Sequence, residues 1–213
     1  YQQISKEEHL SSWELLASIQ HKDILLGLFL TSMTIQMIGQ SISPILPLYV
    51  RELGQSDNVI FVSGLIVSAM GISSILTSGW MGKLGDKIGN HRLLLLALLY
   101  SGILYIFCAL AQTPFQLGLL RFLFGIGTGA LMPGVTALLN RMTPKEGISR
   151  IFSYNQLFFY IGGVLGPMMG SSIAMHVNYH WVFYGTAILA FIDLAFLLFI
   201  FRTYLKVREI SAH

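Results

Sequence analysis

The stretch GKLGDKIGNHR, residues 82–92, separates two long apolar segments of the chain. Its glycines allow tight turns and close approach of helices, and its single acid is Asp86, among basic residues. Such an acid can accept charge-assisted hydrogen bonds or face the positive N-terminus of the next helix. The pattern predicts a loop whose charged residues stabilise one conformation of the protein and separate in another. The alternative is a basic loop with no further role. The candidate gating residues are Gly82, Asp86, Lys87, Gly89 and Arg92.

The composition around this stretch is that of a membrane protein. Of 213 residues, 54% are hydrophobic and 11% are charged, and the mean hydropathy is +0.67. Because soluble domains carry about 25% charged residues, the composition disfavours a soluble enzyme, a nucleic-acid-binding module and a disordered chain. The single cysteine, Cys108, excludes an intramolecular disulfide and a cysteine-based metal cluster. We therefore expect an integral membrane protein with no nucleic-acid partner and no metal.

Six apolar segments are long enough to cross a bilayer core, which takes about 20 residues in a helix. Backbone polar groups must pair internally in hydrocarbon, so each segment is predicted to be helical. Residues 23–202 are therefore expected to form a six-helix transmembrane bundle. Residues 1–22 are expected to form a cytoplasmic linker with a short amphipathic helix, and residues 203–213 a cytoplasmic tail. The predicted spans are 24–50, 59–81, 93–111, 115–139, 151–175 and 180–201.

The distribution of basic residues predicts the orientation. Of the 13 lysines and arginines, Arg51 lies alone on one side of the predicted bundle and Arg121 lies within a span. The others fall on the opposite side, in alternate gaps and at the two ends of the chain. Because cytoplasmic loops carry the excess of basic residues, we expect a multi-pass plasma-membrane protein with both ends of this chain in the cytoplasm.

The fifth segment carries a pattern of small residues around a proline. Small residues four apart allow helices to pack backbone to backbone. A proline removes one helical hydrogen bond, which a membrane helix tolerates where neighbours satisfy the freed carbonyl. We expect a helix-packing motif formed by Gly162, Gly166, Pro167 and Gly170.

Three patterns together resemble one half of a major facilitator superfamily transporter. Residues 82–92 resemble the signature between the second and third helices of such a half, and residues 162–171 are similar to the antiporter motif of the fifth helix. Arg121, followed by Gly125, Gly127 and Gly129, resembles the fourth-helix pattern. The match covers residues 22–205, and its degenerate positions, such as Asn90 in place of a basic residue, fit a second-half copy.

The resemblance is to the C-terminal half, helices 7–12, of multidrug efflux pumps of the PmrA and MdtG type, in the drug:proton antiporter branch. The first and fourth helices of a half line the central cavity in this family. The same residues could instead serve interhelical packing, and for Arg121 we favour a structural or gating role. The candidate cavity residues are Gln36, Gln40, Arg121, Thr128, Met132, Asn155 and Phe159.

The resemblance implies a secondary active transporter that exports small lipophilic compounds, driven by a proton gradient and needing no cofactor. Its partners would be the bilayer and an N-terminal six-helix half. Two alternatives remain: uptake or exchange of another small solute, and a six-helix unit that pairs with itself. A membrane enzyme is disfavoured because every histidine lies at or beyond the end of a span. The role of Asp193, in the sixth span, stays open between a proton carrier and a packed neutral acid.

Overall fold

The computed structural model describes residues 22–54, 57–143 and 147–210. The predicted amphipathic helix and most of the linker, together with the last three residues of the tail, lie outside the described residues. Within them, the chain folds into helices and contains no strand. The helices are α1 Lys22–Gln40, α2 Leu46–Glu52, α3 Val59–Ile88, α4 Asn90–Ala109, α5 Pro114–Met142, α6 Ile148–His176 and α7 Tyr179–Ile210.

Six of these helices, α1 and α3 to α7, are long and apolar enough to cross a membrane. The predicted all-α fold with six transmembrane helices is therefore confirmed, and a bilayer is the environment that these helices require. Helices α4, α5 and α6 begin and end within three residues of the predicted spans. Helix α7 continues to Ile210, into the predicted tail.

The first predicted span, residues 24–50, is not one continuous helix. Helix α1 ends at Gln40, residues 41–45 form a turn, and α2 follows. Pro44 lies in the turn and Pro47 in the first turn of α2. A proline fits the first turn of a helix because its missing N–H would have no helical partner there. The prolines therefore place a break at this end of the first span.

The predicted loop at residues 82–92 is almost entirely helical. Helix α3 runs to Ile88 and α4 begins at Asn90, so Gly89 alone separates them. Gly89 has a φ of 95° and donates its N–H to the carbonyl of Gly85 at 2.9 Å. A positive φ of this size is costly for a residue with a Cβ. A single glycine in this conformation therefore turns the chain, and no longer loop is needed.

The helices pack in pairs around two clusters of buried apolar side chains. Helix α3 packs mainly on α5, α1 on α6, and α4 on both α5 and α7. Helices α3 and α6 are the least buried of the six spans. They expose large apolar side chains along most of their length, such as Ile75, Trp80, Tyr160 and Met168. These two helices therefore have surface available for lipid or for another set of helices.

Candidate functional site

The glycines of the fifth-span motif lie directly against the main chain of α1. A Cβ built on Gly166 would lie 2.7 Å from the carbonyl oxygen of Met37. A Cβ on Gly162 would overlap the carbonyl oxygen of Met33, and one on Gly170 that of Ser41. The residues recur four apart on both helices, so one face of α6 meets one face of α1 without intervening side chains.

Pro167 lies within α6, and the helix continues through it to His176. Gly163, on the neighbouring face, has more room than Gly162 or Gly166. A Cβ there would be in ordinary contact with Nε2 of Gln36 at 3.5 Å. The close contact is therefore confined to one stripe of α6.

A second glycine contact joins α5 to α3. A Cβ on Gly125 would overlap the carbonyl oxygen of Met70, and one on Gly129 would lie 2.6 Å from Oγ1 of Thr77. Gly127 points to α4 instead, where a Cβ would lie 2.8 Å from the ring of Tyr100. The alternate glycines of this helix thus let it approach two neighbours at once. The spacing of these glycines is visible in the sequence, but the helices that they contact are not.

Arg121 lies in the interior of this half. It is 1% exposed, and its guanidinium donates a hydrogen bond to Oη of Tyr105 at 3.2 Å. The guanidinium carbon also lies 5.8 Å from the ring centroid of Phe124. Tyr105 in turn donates to the carbonyl of Ile38 at 2.5 Å, in the last turn of α1. Arg121 is therefore connected to the last turn of α1 through Tyr105 and does not border an open cavity.

Asn155 is also buried between helices, at 4% exposure. Its Oδ1 accepts a hydrogen bond from Oγ of Ser32 at 2.6 Å, which joins α6 to α1. The structure thus places Asn155 in a helix interface and not on the cavity-facing surface that we expected. The reason is that its face of α6 is the one that packs on α1, a relationship that helical spacing alone does not reveal.

Thr128 and Met132 make their contacts inside this half. Oγ1 of Thr128 donates to the carbonyl of Gly125 at 3.0 Å, within α5. Met132 packs against one of the two buried clusters. Both side chains are only partly exposed. Neither contact points to a ligand.

The remaining cavity candidates, Gln36, Gln40 and Phe159, keep partly exposed side chains. Gln36 lies beside Gly163 of α6. Phe159 is four residues before Gly163 and so shares its face of α6, which places Gln36 and Phe159 at one edge of the α1–α6 pair. Oε1 of Gln40 accepts a hydrogen bond from Oγ of Ser43 at 3.0 Å, across the break between α1 and α2. This edge carries the amide and aromatic groups that a site for varied lipophilic compounds would use.

The candidate gating residues lie at the junction of α3 and α4. Asp86 and Lys87 are exposed on the last turns of α3, and Arg92 is exposed in the first turn of α4. Within the described part of the chain, Asp86 makes no ion pair. Gly85 is buried because its α-carbon lies against the side chain of Asn90. The junction is thus held by Gly85 and Asn90, while the charged side chains remain available to other groups.

Sequence reasoning missed several polar contacts of α1. Thr31 of α1 donates to Asp193 of α7, and Ser41, in the turn after α1, shares a hydrogen bond of 3.0 Å with Thr186 of α7. Together with Ser32 and the carbonyl of Ile38, these groups put polar contacts on the buried faces of α1 and of the turn that follows it. Small hydroxyls are common in membrane helices, so their spacing gave no signal of their partners. The described residues contain no cluster of three or more histidines, cysteines or acids that could hold a metal.

Comparison with known proteins agrees with this architecture. The sequence model of the Major Facilitator Superfamily matches residues 24–212. The chain belongs to the major facilitator superfamily. It is 59% identical over 210 residues to the multi-drug resistance efflux pump PmrA of Streptococcus pneumoniae, covering 99% of this chain and 53% of that protein. It is 46% identical over 211 residues to the PmrA homolog of Lactococcus lactis, covering 99% of this chain and 52% of the homolog.

A third relative is the multidrug resistance protein MdtG of Escherichia coli, which is 45% identical over 188 residues, 88% of this chain and 46% of MdtG. The predicted resemblance to pumps of the PmrA and MdtG type is thus confirmed. The family and the names of these relatives point to transport. The chain spans about half the length of the curated relatives it matches.

Proposed function

We propose that this chain is the C-terminal half of a proton-driven multidrug exporter that works by alternating access. The observation that carries the proposal is the 59% identity to a multi-drug resistance efflux pump along nearly the whole chain. Six further helices would form the other half, and the two halves would rock against each other around a site near the midplane. Small lipophilic compounds are the proposed substrates, and the proton gradient is the proposed driving force.

The packing of this half suits rigid-body motion. Glycine contacts between α1 and α6 and between α3 and α5 bring backbones together, and close-packed interfaces transmit displacement instead of absorbing it. The hydrogen bonds from Arg121 to Tyr105 and from Tyr105 to Ile38 add a polar connection across α5, α4 and α1. Each of these two helix pairs, α1 with α6 and α3 with α5, would therefore move as one body.

The partner half would cover part of α3 and α6, together with the edge that carries Gln36, Gln40 and Phe159. Both helices are exposed around most of their circumference, which is more surface than one lipid-facing side requires. Asp86, Lys87 and Arg92 are exposed at the α3–α4 junction and would pair with groups of the other half in one conformation. Their release would accompany opening on that side.

The proposed orientation follows from the ends of the helices. Because successive spans cross in opposite directions, the end of α3, the start of α4, the end of α5 and the start of α6 lie on the same side. Basic residues concentrate there, whereas the opposite side has Arg51. The positive-inside rule assigns the basic side to the cytoplasm. These residues are Lys83, Lys87, Arg92, Arg141 and Arg150.

The test uses a bacterial strain that lacks its own multidrug pumps. Cells expressing the complete gene product, cells expressing residues 1–213 alone and empty cells are loaded with a lipophilic cationic dye. We expect reduced dye retention only with the complete product, and restored export when the chain is co-expressed with the remaining part. Export by residues 1–213 alone would instead support the self-pairing six-helix unit. Increased retention would support uptake.

A further inference from the structure

The carboxyl group of Asp193 is buried inside the transmembrane part of this half. Asp193 lies about 21 Å along α7 from Tyr179 at 1.5 Å per residue, within the apolar stretch that is long enough to span a bilayer. Its side chain is 4% exposed. The position is therefore remote from both ends of the helix and closed to bulk water.

Thr31 of α1 supplies the hydrogen bond that Asp193 makes. Its Oγ1 donates to Oδ1 of Asp193 at 3.1 Å, whereas Oδ2 is buried and has no hydrogen-bond partner. No lysine, arginine or histidine within the described ranges forms an ion pair with the carboxyl. An ionised carboxylate is expensive to bury without a cation or a full set of donors. A neutral carboxyl needs less, since its carbonyl oxygen can accept the hydrogen bond from Thr31 and its protonated oxygen carries no charge.

The helices packed against α7 bring no charge to this position. They are α1, α4 and α6. On α4, His91 contacts Phe201, about 12 Å along α7 from Asp193, and the hydroxyls of Tyr100 and Tyr105 bond to main-chain carbonyls. The hydrogen-bond partner of Asp193 is Thr31, and Oδ2 has none. The other titratable side chains of these three helices are Lys22, Asp23, Arg92, Cys108, Arg150, Tyr154, Tyr160 and His176.

We infer that Asp193 is a proton-binding residue of the transporter, that it carries its proton in the conformation described here, and that loss of the proton requires α7 to separate from α1 at Thr31. The inference rests on the proposed proton-driven transport. Deprotonation in place would leave a buried carboxylate with one hydrogen-bond donor and no cation, so the proton can pass to water only when the interface opens. Closure of the same interface favours rebinding of a proton. The contact thereby connects the protonation state to the packing of the broken first span.

Infrared spectroscopy of the full-length protein in lipid tests the protonation directly. The difference spectrum between the wild type and Asp193→Asn at neutral pH should contain the C=O stretch of a protonated carboxyl group. Thr31→Val should shift that band, because the carboxyl loses its hydrogen-bond partner. Thr34→Val removes a buried hydroxyl from the same helix and should leave the band unchanged. A carboxylate band in place of the protonated one would overturn the inference, and Thr31→Val preserves the test if Asp193→Asn does not insert.

Transport assays separate this inference from the proposed function. In the wild type, an imposed proton gradient should accelerate dye export. Asp193→Asn should reduce that acceleration about tenfold, within the usual range of coupling between two sites. If the wild type ignores the gradient, the proposed function fails. If the wild type responds and Asp193→Asn responds equally, the inference alone fails.

Discussion

The α-carbon of Gly166 lies so close to the backbone of Met37 that a Cβ would come within 2.7 Å of the carbonyl oxygen. The contact lies at the centre of the α1–α6 interface, between the similar contacts of Gly162 and Gly170. Van der Waals packing of this kind is the main attraction between helices in lipid, where no hydrophobic driving force acts between them. The first span is therefore fixed to the fifth through its main chain.

Replacing Gly166 with alanine should force α1 and α6 apart. Overpacking a close-packed interface costs about 1–3 kcal/mol, so we expect a lower unfolding temperature in detergent and weaker dye export. Gly163→Ala is the matched control, because its Cβ would meet Gln36 at 3.5 Å. That variant should unfold and transport like the wild type. Equal behaviour of the two variants would show that the stripe is not a packing contact.

Removing the hydroxyl of Tyr105 should destabilise this half. Tyr105→Phe leaves the guanidinium of Arg121 without the hydrogen-bond acceptor that the structure gives it. It also removes one of the two side-chain donors of the Ile38 carbonyl, the other being the hydroxyl of Ser41. An unpaired buried polar group costs about 1–3 kcal/mol. Tyr100→Phe is the control, since its half-buried hydroxyl makes one bond to the carbonyl of Leu123. The unfolding temperature should fall further for Tyr105→Phe than for Tyr100→Phe. The reverse order would argue against the hydrogen bond between Arg121 and Tyr105.

The hydrogen bond between Ser32 and Asn155 should be measurable as a coupling energy. In a double-mutant cycle with Ser32→Ala and Asn155→Ala, we expect a coupling of about 0.6 kcal/mol, the mean for hydrogen bonds between membrane helices, with about 1.7 kcal/mol as the upper end. Equilibrium unfolding of the four proteins gives this value. The range of exported dyes should not change. A changed range of dyes with no coupling would mean that Asn155 contacts substrate.

Neutralising Asp86 should impair transport without affecting folding. The side chain is exposed at the α3–α4 junction, so Asp86→Asn removes no buried interaction of this half. Its expected effect is on pairing with the other half, which would slow the conformational change. Lys83→Gln is the control, because Lys83 is also exposed and lies outside the candidate gating set. Unchanged export with Asp86→Asn would remove the gating role, and reduced insertion would indicate a folding role instead.

The six membrane helices could be predicted from the length of their apolar segments, because lipid demands a fully paired backbone. The junction at Gly89 could not be predicted in this way. Three glycines in eight residues predict a loop with tight turns, yet Gly82 and Gly85 continue the helix, and one positive φ makes the turn. Glycine weakens a helix but does not end it where neighbouring helices supply packing.

The partners of the polar side chains were also beyond the sequence. Asn155 was assigned to a cavity, but it faces Ser32, which lies 123 positions earlier in the chain. The interior position of Arg121 depends on Tyr105, an aromatic residue within an apolar run that gave no signal of a hydrogen bond. Periodicity gives the face of a helix, whereas the neighbour on that face is set by tertiary packing.

The most direct test of proton-driven export uses the purified full-length protein in liposomes. A lipophilic cationic dye is placed at equal concentration on both sides, and a proton gradient is then imposed. We predict that the dye accumulates on one side in exchange for protons, against the concentration gradient that this creates, and that a protonophore abolishes the accumulation. Dye movement at the same rate with and without the proton gradient would contradict the account.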